Sequence, residues 1–144
     1  EYGYVPQDLG GDNMINYEQE IRIPYLGASA DWLLGDFTFS GHVTYSPIVA
    51  ADDWDQHVER TLNFHETFEG GDMFGFGAEA RYDFQQGFFS GAFVTAALDY
   101  QVIDLIIGDM EVEDYSTGET GGDDDVAGLE NEYLVLSLGL GVNF

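Results

Sequence analysis

Apolar and polar residues alternate along most of this sequence with a period of two. The last segment is the clearest case, because every second residue from 134 to 144 is apolar and most residues between them are small or polar. Successive side chains of a β-strand point to opposite faces, so this period predicts a strand. The apolar face of this segment contains Leu134, Leu136, Leu138, Leu140, Val142 and Phe144.

Five segments alternate in this way, and none shows the period of a helix. We predict strands at about 14–32, 36–48, 62–84, 88–100 and 134–144. The apolar phase of the first strand changes near Pro24, which we interpret as a bulge, because proline cannot donate a hydrogen bond to a β-ladder. The third strand is expected to present one continuous apolar face from Leu62 to Phe84. The fold class is therefore all-β.

The connections between the strands distinguish a membrane barrel from a soluble sandwich. LLGD (33–36) and DFQQG (83–87) are tight turns, whereas the connections at about 49–60 and 110–129 are long and acidic. Short turns on one rim and long extracellular loops on the other are typical of outer-membrane barrels. We therefore predict an antiparallel transmembrane β-barrel in a bacterial outer membrane. A soluble β-sandwich that serves as a binding module also fits the alternation and is the alternative architecture.

An odd number of strands indicates an incomplete barrel. Bacterial single-chain barrels have an even number of strands, and five strands place the two ends of this chain on opposite rims. We infer that residues 14–144 form the C-terminal half of a larger barrel. Residues 1–13 are then the remnant of an outer loop.

The charge of the chain restricts its partners. It contains 28 Asp and Glu residues but only 3 basic residues, all arginine, which gives a formal net charge of -25. This charge argues against binding to nucleic acid and favours cationic partners. There is no cysteine, so the chain has neither a thiolate nucleophile nor a thiolate metal site.

The stretch AADDWDQHVER (50–60) contains the candidate chemistry. Asp55 and His57 are two residues apart, so their side chains share a face if the strand continues through them. A carboxylate beside an imidazole fixes its tautomer and raises its basicity, so that His57 could deprotonate water near neutral pH. By spacing alone, an acidic outer loop that happens to contain a histidine is the alternative interpretation.

Four segments occur in the order and spacing found in one known family. They are IRIPYLG (21–27), DFTFSGHVTY (36–45), VAADDWDQH (49–57) and GLENEYLVLSLGLGVNF (128–144). Together they resemble the C-terminal half of the omptins, outer-membrane endopeptidases with a ten-stranded barrel. The resemblance implies that the missing strands one to five belong to an N-terminal half, which would be the partner of this chain.

The resemblance also implies a mechanism and its residues. Omptins hold the attacking water between an Asp-His pair and an Asp-Asp pair at the top of the barrel, facing the cell exterior. Asp55 and His57 match the Asp-His pair, with His57 as general base and Asp55 as the residue that orients it. Asp53 matches an acidic position that binds a basic substrate residue next to the scissile bond. The Asp-Asp pair lies in the other half, so activity is expected only with that half present.

The sequence departs from the omptin pattern at two positions. Glu20 and Glu69 stand where omptins have basic residues that contact lipopolysaccharide, which puts lipopolysaccharide binding in doubt.

The alternative function is a non-catalytic outer-membrane barrel with an adhesion or structural role, which would lack the Asp-Asp pair.

Other motifs predict no cofactor or metal site. GFGAEA (75–80) lies inside an alternating strand and opens no helix, so it is not expected to bind a dinucleotide. The acidic stretch 122–133 departs from a calcium loop at its fifth and twelfth positions and is interpreted as a solvated loop. His57 and His65 lack a third neutral ligand for zinc. Arg81 is expected to form structural ion pairs with carboxylates on neighbouring strands.

Overall fold

The computed structural model describes residues 15–143, most of which lie in antiparallel strands of one sheet. The expectation for residues 1–13 falls outside the described part. A 3₁₀ turn connects the fourth and fifth strands, and no helix among the described residues is long and apolar enough to cross a membrane. The strands are β1 (Ile15–Arg22), β2 (Leu26–Leu34), β3 (Phe37–Ser46), β4 (Val49–His57), β5 (Leu62–Gly70), β6 (Met73–Asp83), β7 (Ala92–Asp114) and β8 (Glu119–Val142).

These segments make up five long strands in an up-and-down meander, which correspond to the five alternating segments of the sequence. β1 and β2 form the first long strand, β3 and β4 the second, and β5 and β6 the third. These three are interrupted at 23–25, 47–48 and 71–72. β7 and β8 are continuous, with 23 and 24 residues. The ladder runs β1–β4–β5–β7 on one side of the interruptions and β2–β3–β6–β7 on the other, and β8 pairs with β7.

The connections lie at two rims. Residues 58–61 and 115–118 are at the upper rim, and residues 35–36 and 84–91 are at the lower rim. Among the described residues, the first long strand and β8 each pair on one side only, so the sheet is open at both edges. An open antiparallel meander is the geometry expected of part of a barrel.

The segments expected to be long acidic loops consist mostly of paired strand, which corrects that expectation. Residues 49–57 form β4, which pairs with β1 and with β5. Residues 110–129 contain the upper ends of β7 and β8 and the turn between them. The acidity was misleading because backbone groups form the ladder, and a strand pairs in the same way whether its side chains are acidic or apolar.

The apolar face of the sheet changes sides at the level of the interruptions. In the third long strand the change occurs at Gly70 and Gly71, whose φ angles are 102° and 73°. Phe68 above this point is 1% exposed, whereas Phe74 below it is 44% exposed. Residues six apart in a regular strand would share a face. The expectation of one continuous apolar face from Leu62 to Phe84 was therefore wrong.

The first long strand keeps its phase at Pro24. Ile21 packs against the core above the interruption. Gly27 below it pairs with Thr44, which shares a face with buried Ser46. Odd-numbered residues of the first long strand therefore lie on the inner face both above and below Pro24. No inserted residue moves them to the other face. The apolar pattern changes because the outward-facing side chains are polar above Pro24 and mainly apolar below it.

The buried core lies on the inner face at the level of the interruptions. It divides the inner face into an upper part, towards residues 58–61, and a lower part, towards residues 35–36. The core residues are Val49, Ala51, Phe68, Met73, Ile103, Ile106, Ala127 and Leu129. The upper part of the inner face therefore has an apolar floor.

Below the core, the outer face is apolar and the inner face carries charge. Leu138 and Leu140 are 90% and 86% exposed, an arrangement that suits lipid rather than water. Arg81 on the inner face donates to Asp83 at 2.8 and 2.7 Å and to Asn143 of the strand beyond at 2.9 Å. The carboxylate partner of Arg81 is thus on its own strand, which corrects the expectation of a partner on a neighbouring strand.

Candidate active site

β4 carries the three residues singled out from the sequence: Asp53, Asp55 and His57. The strand continues through His57, so the spacing of two places all three side chains on one face. Val49 and Ala51 share this face and are buried in the core, which identifies it as the inner face. The three residues therefore form a line that rises from the core to the upper rim.

Asp55 and His57 are hydrogen-bonded to each other near the upper rim. His57 Nε2 lies 2.8 Å from Asp55 Oδ2, and the two side chains are 24% and 32% exposed. A carboxylate at Nε2 holds the proton of a neutral imidazole there and leaves Nδ1 able to accept a proton. The Phe64 ring meets the imidazole edge-on with ring centroids 5.1 Å apart, which supports its orientation. The pair has the chemistry of an oriented base that water can reach.

Asp53 lies between this pair and the core and is 7% exposed. Tyr17 Oη and Gln19 Nε2, both from β1, donate to Asp53 Oδ2 at 3.0 and 2.9 Å. Asp53 Oδ1 is buried and accepts no hydrogen bond from the described residues. Burial, together with the hydrogen bond to Asp53, raises the pKa of Tyr17, so its hydroxyl remains a donor. One oxygen of Asp53 is thus held by the fold, and the other retains an unused capacity to accept a hydrogen bond.

Glu66 is a third acidic residue of this surface, after Asp53 and Asp55, and it was not among the residues predicted from the sequence. It stands directly opposite Asp53 in the β4–β5 ladder. Burial, followed by the negative charges of Asp53 and Asp55, raises the pKa of Glu66. The sequence did contain a signal for Glu66. It is an acidic residue at an even position between Phe64 and Phe68, where the alternation predicts an apolar residue.

Comparison with known proteins identifies the family. The sequence profile of the omptin family matches residues 2–144. The chain belongs to the omptin family. It is 29% identical over 137 residues to the plasminogen activator of Yersinia pestis and 25% identical over 150 residues to the outer membrane protease OmpP of Escherichia coli K12. The alignments cover 93% and 100% of this chain but only 42% and 44% of the relatives, so it spans less than half their length.

A solved omptin structure shows the same fold. The outer membrane protease OmpT from Escherichia coli superposes with a TM-score of 0.74 over 90% of this chain and 43% of OmpT, at 21% sequence identity. The predicted fold class, an antiparallel β-barrel of which this chain holds five long strands, is confirmed. The two open edges of the sheet agree with a chain that covers part of such a barrel.

The outer face of the omptin sheet at this height carries a separate aromatic pair. Trp54 and His65 stack with ring centroids 5.0 Å apart and an interplanar angle of 9°. His65 Nε2 is 3.6 Å from Asp52 Oδ1. His57 and His65 stand on opposite faces of the sheet, so they do not form one metal site. Among residues 15–143, no three or more His, Cys, Asp or Glu side chains are grouped as metal ligands.

The outer face above the apolar belt is otherwise acidic. Glu20 and Glu69, the two positions where the omptin resemblance places basic residues, are both exposed there. Arg22 is on the same face and forms ion pairs with Asp52 and with Glu20. The positive charge of Arg22 is therefore already neutralised within the chain.

Proposed function

We propose that this chain supplies the Asp-His part of the active site of an outer-membrane endopeptidase that cuts peptide bonds next to basic residues. The observation that carries the proposal is the 2.8 Å contact between His57 Nε2 and Asp55 Oδ2 on the inner face at the upper rim. Membership in a family that includes the outer membrane protease OmpP supports the reaction class.

In the proposed mechanism, water attacks the peptide carbonyl directly and no covalent enzyme intermediate forms. His57 removes a proton from the water, and Asp55 holds the imidazole and stabilises the imidazolium that results. Water can reach the pair, because 24% of the His57 side chain and 32% of the Asp55 side chain are exposed. A second pair of carboxylates from the other half of the barrel would hold the water from the opposite side.

Asp53 is proposed to bind the basic residue of the substrate. Its Oδ1 is buried and accepts no hydrogen bond from the described residues. A buried carboxylate oxygen in low-dielectric surroundings attracts a cation more strongly than one in water. The net charge of -25 adds a long-range attraction for cationic peptides.

The partner of this chain is proposed to be the N-terminal half of the barrel, with strands one to five. The open edges at the first long strand and at β8 support this, because each presents unpaired backbone groups that further strands would satisfy. The enzyme would then be competent only as the completed barrel.

The proposed location is the outer membrane, with the active site facing the cell exterior. The apolar outer belt below the core is the lipid-facing surface, and the polar outer face above it stands in water. The candidate active site lies above the apolar belt, in the part of the barrel that stands in water. Glu20 and Glu69 leave no positive charge at the two lipopolysaccharide positions, so we do not expect lipopolysaccharide phosphates to bind there directly.

The test uses intact cells that display the completed barrel. A peptide with one arginine is added outside the cells, and its fragments are identified by mass spectrometry. We expect cleavage next to arginine and none when glutamine replaces it. A folded barrel that leaves the peptide intact would favour an adhesion or structural role. Cleavage only after lysis would contradict an exterior-facing site.

A further inference from the structure

Asp53 and Glu66 place two carboxylates side by side on the upper inner face. They are direct partners in the antiparallel β4–β5 ladder, in which opposite Cβ atoms lie roughly 4.5–5.5 Å apart. Ala51 and Phe68, the next inner-face pair towards the core, are 1% exposed each and form an apolar floor beneath them. Like charges directly opposite each other destabilise a ladder. The fold therefore places two repelling groups side by side, of which Asp53 is buried and Glu66 is partly buried.

No cation of the described chain neutralises this pair. Arg22 is on the outer face, where it pairs with Asp52. Arg60 lies in the 3₁₀ turn at the upper rim, and Arg81 pairs with Asp83 near the lower rim. The same inner-face row instead continues through Met110 to Asp123, which adds a further carboxylate.

We propose that Glu66 is a second substrate-binding carboxylate, which together with Asp53 clamps a guanidinium group and makes the site select arginine over lysine. This inference rests on the proposed protease function and assigns its substrate preference to a residue of this chain. The occupant is the side chain of an arginine next to the scissile bond. Asp55 and His57 lie one and two inner-face positions above Asp53 on the same strand, which suits cleavage beside the bound residue.

The hydrogen bonds at Asp53 favour a planar guanidinium group over a compact ammonium group. Tyr17 and Gln19 both donate to Oδ2, so Oδ1 is the oxygen left for a ligand. A guanidinium carries five N–H donors in a fixed plane and can donate to Asp53 and Glu66 simultaneously. A lysine ammonium is compact and more strongly hydrated, so it loses more on entering a site with an apolar floor.

The first experiment compares Glu66→Gln with wild type in the completed barrel. The measured quantity is kcat/KM for two peptides that differ only in arginine or lysine at the cleavage position. Loss of one charged acceptor should lower the arginine-to-lysine ratio by roughly tenfold. Glu66→Asp, which keeps the charge, should retain part of the preference. Glu111→Gln, on the outer face of β7, is the matched control and should leave the ratio unchanged.

A binding measurement separates this inference from the proposed function. In the His57→Ala background, titration calorimetry compares n-butylguanidine with n-butylamine. We expect the guanidine to bind more tightly than the amine, and Glu66→Gln to remove this difference. If peptides are cleaved but the ratio does not change in Glu66→Gln, the inference is wrong and the protease proposal stands. If no peptide is cleaved but guanidine binding depends on Glu66, the protease proposal is wrong and the clamp stands.

Folding of each variant is verified before either measurement by the shift in electrophoretic mobility between heated and unheated samples. Should Glu66→Gln fail to fold, Glu66→Asp carries the test, because a shorter carboxylate should weaken the guanidine preference in both assays. An unchanged preference in a folded Glu66→Asp variant would then overturn the inference.

Discussion

His57 Nε2 lies 2.8 Å from Asp55 Oδ2, and both side chains stand on the inner face of one strand near the upper rim. Asp52 and Trp54, which alternate with the active-site residues along β4, face the opposite side of the sheet. One strand thus presents two chemically distinct surfaces, and substitutions on the outer surface can serve as controls for substitutions on the inner one.

Replacing Asp55 by Asn should lower kcat for an arginine peptide by about 10²- to 10⁴-fold, the range contributed by general acid–base catalysis. The amide can no longer stabilise the imidazolium that forms when His57 takes a proton. KM should change little, because Asp53 is retained. Steady-state kinetics of the completed barrel measure both parameters.

The matched control is Asp52→Asn, which changes an acidic residue of the same strand on the outer face. It removes one of the two ion-pair partners of Arg22 and should leave kcat near the wild-type value. Equal losses in Asp52→Asn and Asp55→Asn would show that the effect comes from strand stability or net charge.

Replacing Tyr17 by Phe should lower the free energy of unfolding by roughly 1–2 kcal/mol, because it removes one of the two hydrogen bonds to buried Asp53. Urea titration of the barrel in lipid vesicles measures this. Tyr25→Phe, at an exposed position between β1 and β2, is the control and should have a smaller effect. Equal stabilities of the two variants would contradict the role of Tyr17.

Glu66→Gln should make the barrel more stable than wild type at neutral pH and equally stable in acid. The pKa of Glu66 is raised in the folded state by burial and by Asp53 and Asp55. A group with a raised pKa stabilises the fold below its unfolded pKa, and this contribution is lost as pH rises through the folded pKa. Glutamine has no charge to lose, so the two melting temperatures should diverge as pH rises from acid to neutral.

A lower neutral-pH melting temperature for Glu66→Gln than for wild type would mean that the Glu66 carboxylate is stabilising. That result would contradict the proposed like-charge repulsion between Glu66 and Asp53.

Gly71→Ala should destabilise the barrel by about 2–4 kcal/mol, from left-handed backbone strain and from overpacking. Gly71 has φ +73°, and a Cβ there would lie 2.5 Å from Cγ1 of Ile106 in the core. Gly35 has φ +61°, but a Cβ at that position would have no heavy atom within 4 Å. Gly35→Ala should therefore cost only the strain, about 1 kcal/mol. If Gly71→Ala and Gly35→Ala lower the free energy of unfolding by the same amount, Ile106 must move away from the added Cβ.

The number and order of the long strands could be predicted because alternation reports directly on a two-faced sheet. The same rule failed above the core, where the sheet faces water on its outer side and the apolar residues turn inward. The sequence of β4 predicts a loop because its acidity resembles that of solvated segments, although its backbone pairs fully. The inversion at Gly70 and Gly71 depends on positive φ angles, which glycine permits but does not reveal in a sequence.

Part of the candidate site was likewise available from the sequence. The spacing of Asp55 and His57 predicted a shared face, and the strand geometry confirms it. Tyr17 and Glu66 were not found, because their proximity to Asp53 depends on the registers of two ladders. Register follows from turns and packing along whole strands, which a local motif does not contain.

The most direct test of the proposed mechanism compares His57→Ala with His65→Ala in the completed barrel. Both change a histidine in the upper part of the sheet, but His57 is on the inner face with Asp55 and His65 is stacked on Trp54 on the outer face. Hydrolysis of a peptide with one arginine should be abolished in His57→Ala and stay near wild type in His65→Ala. Wild-type hydrolysis by a folded His57→Ala barrel would contradict the assignment of His57 as the base.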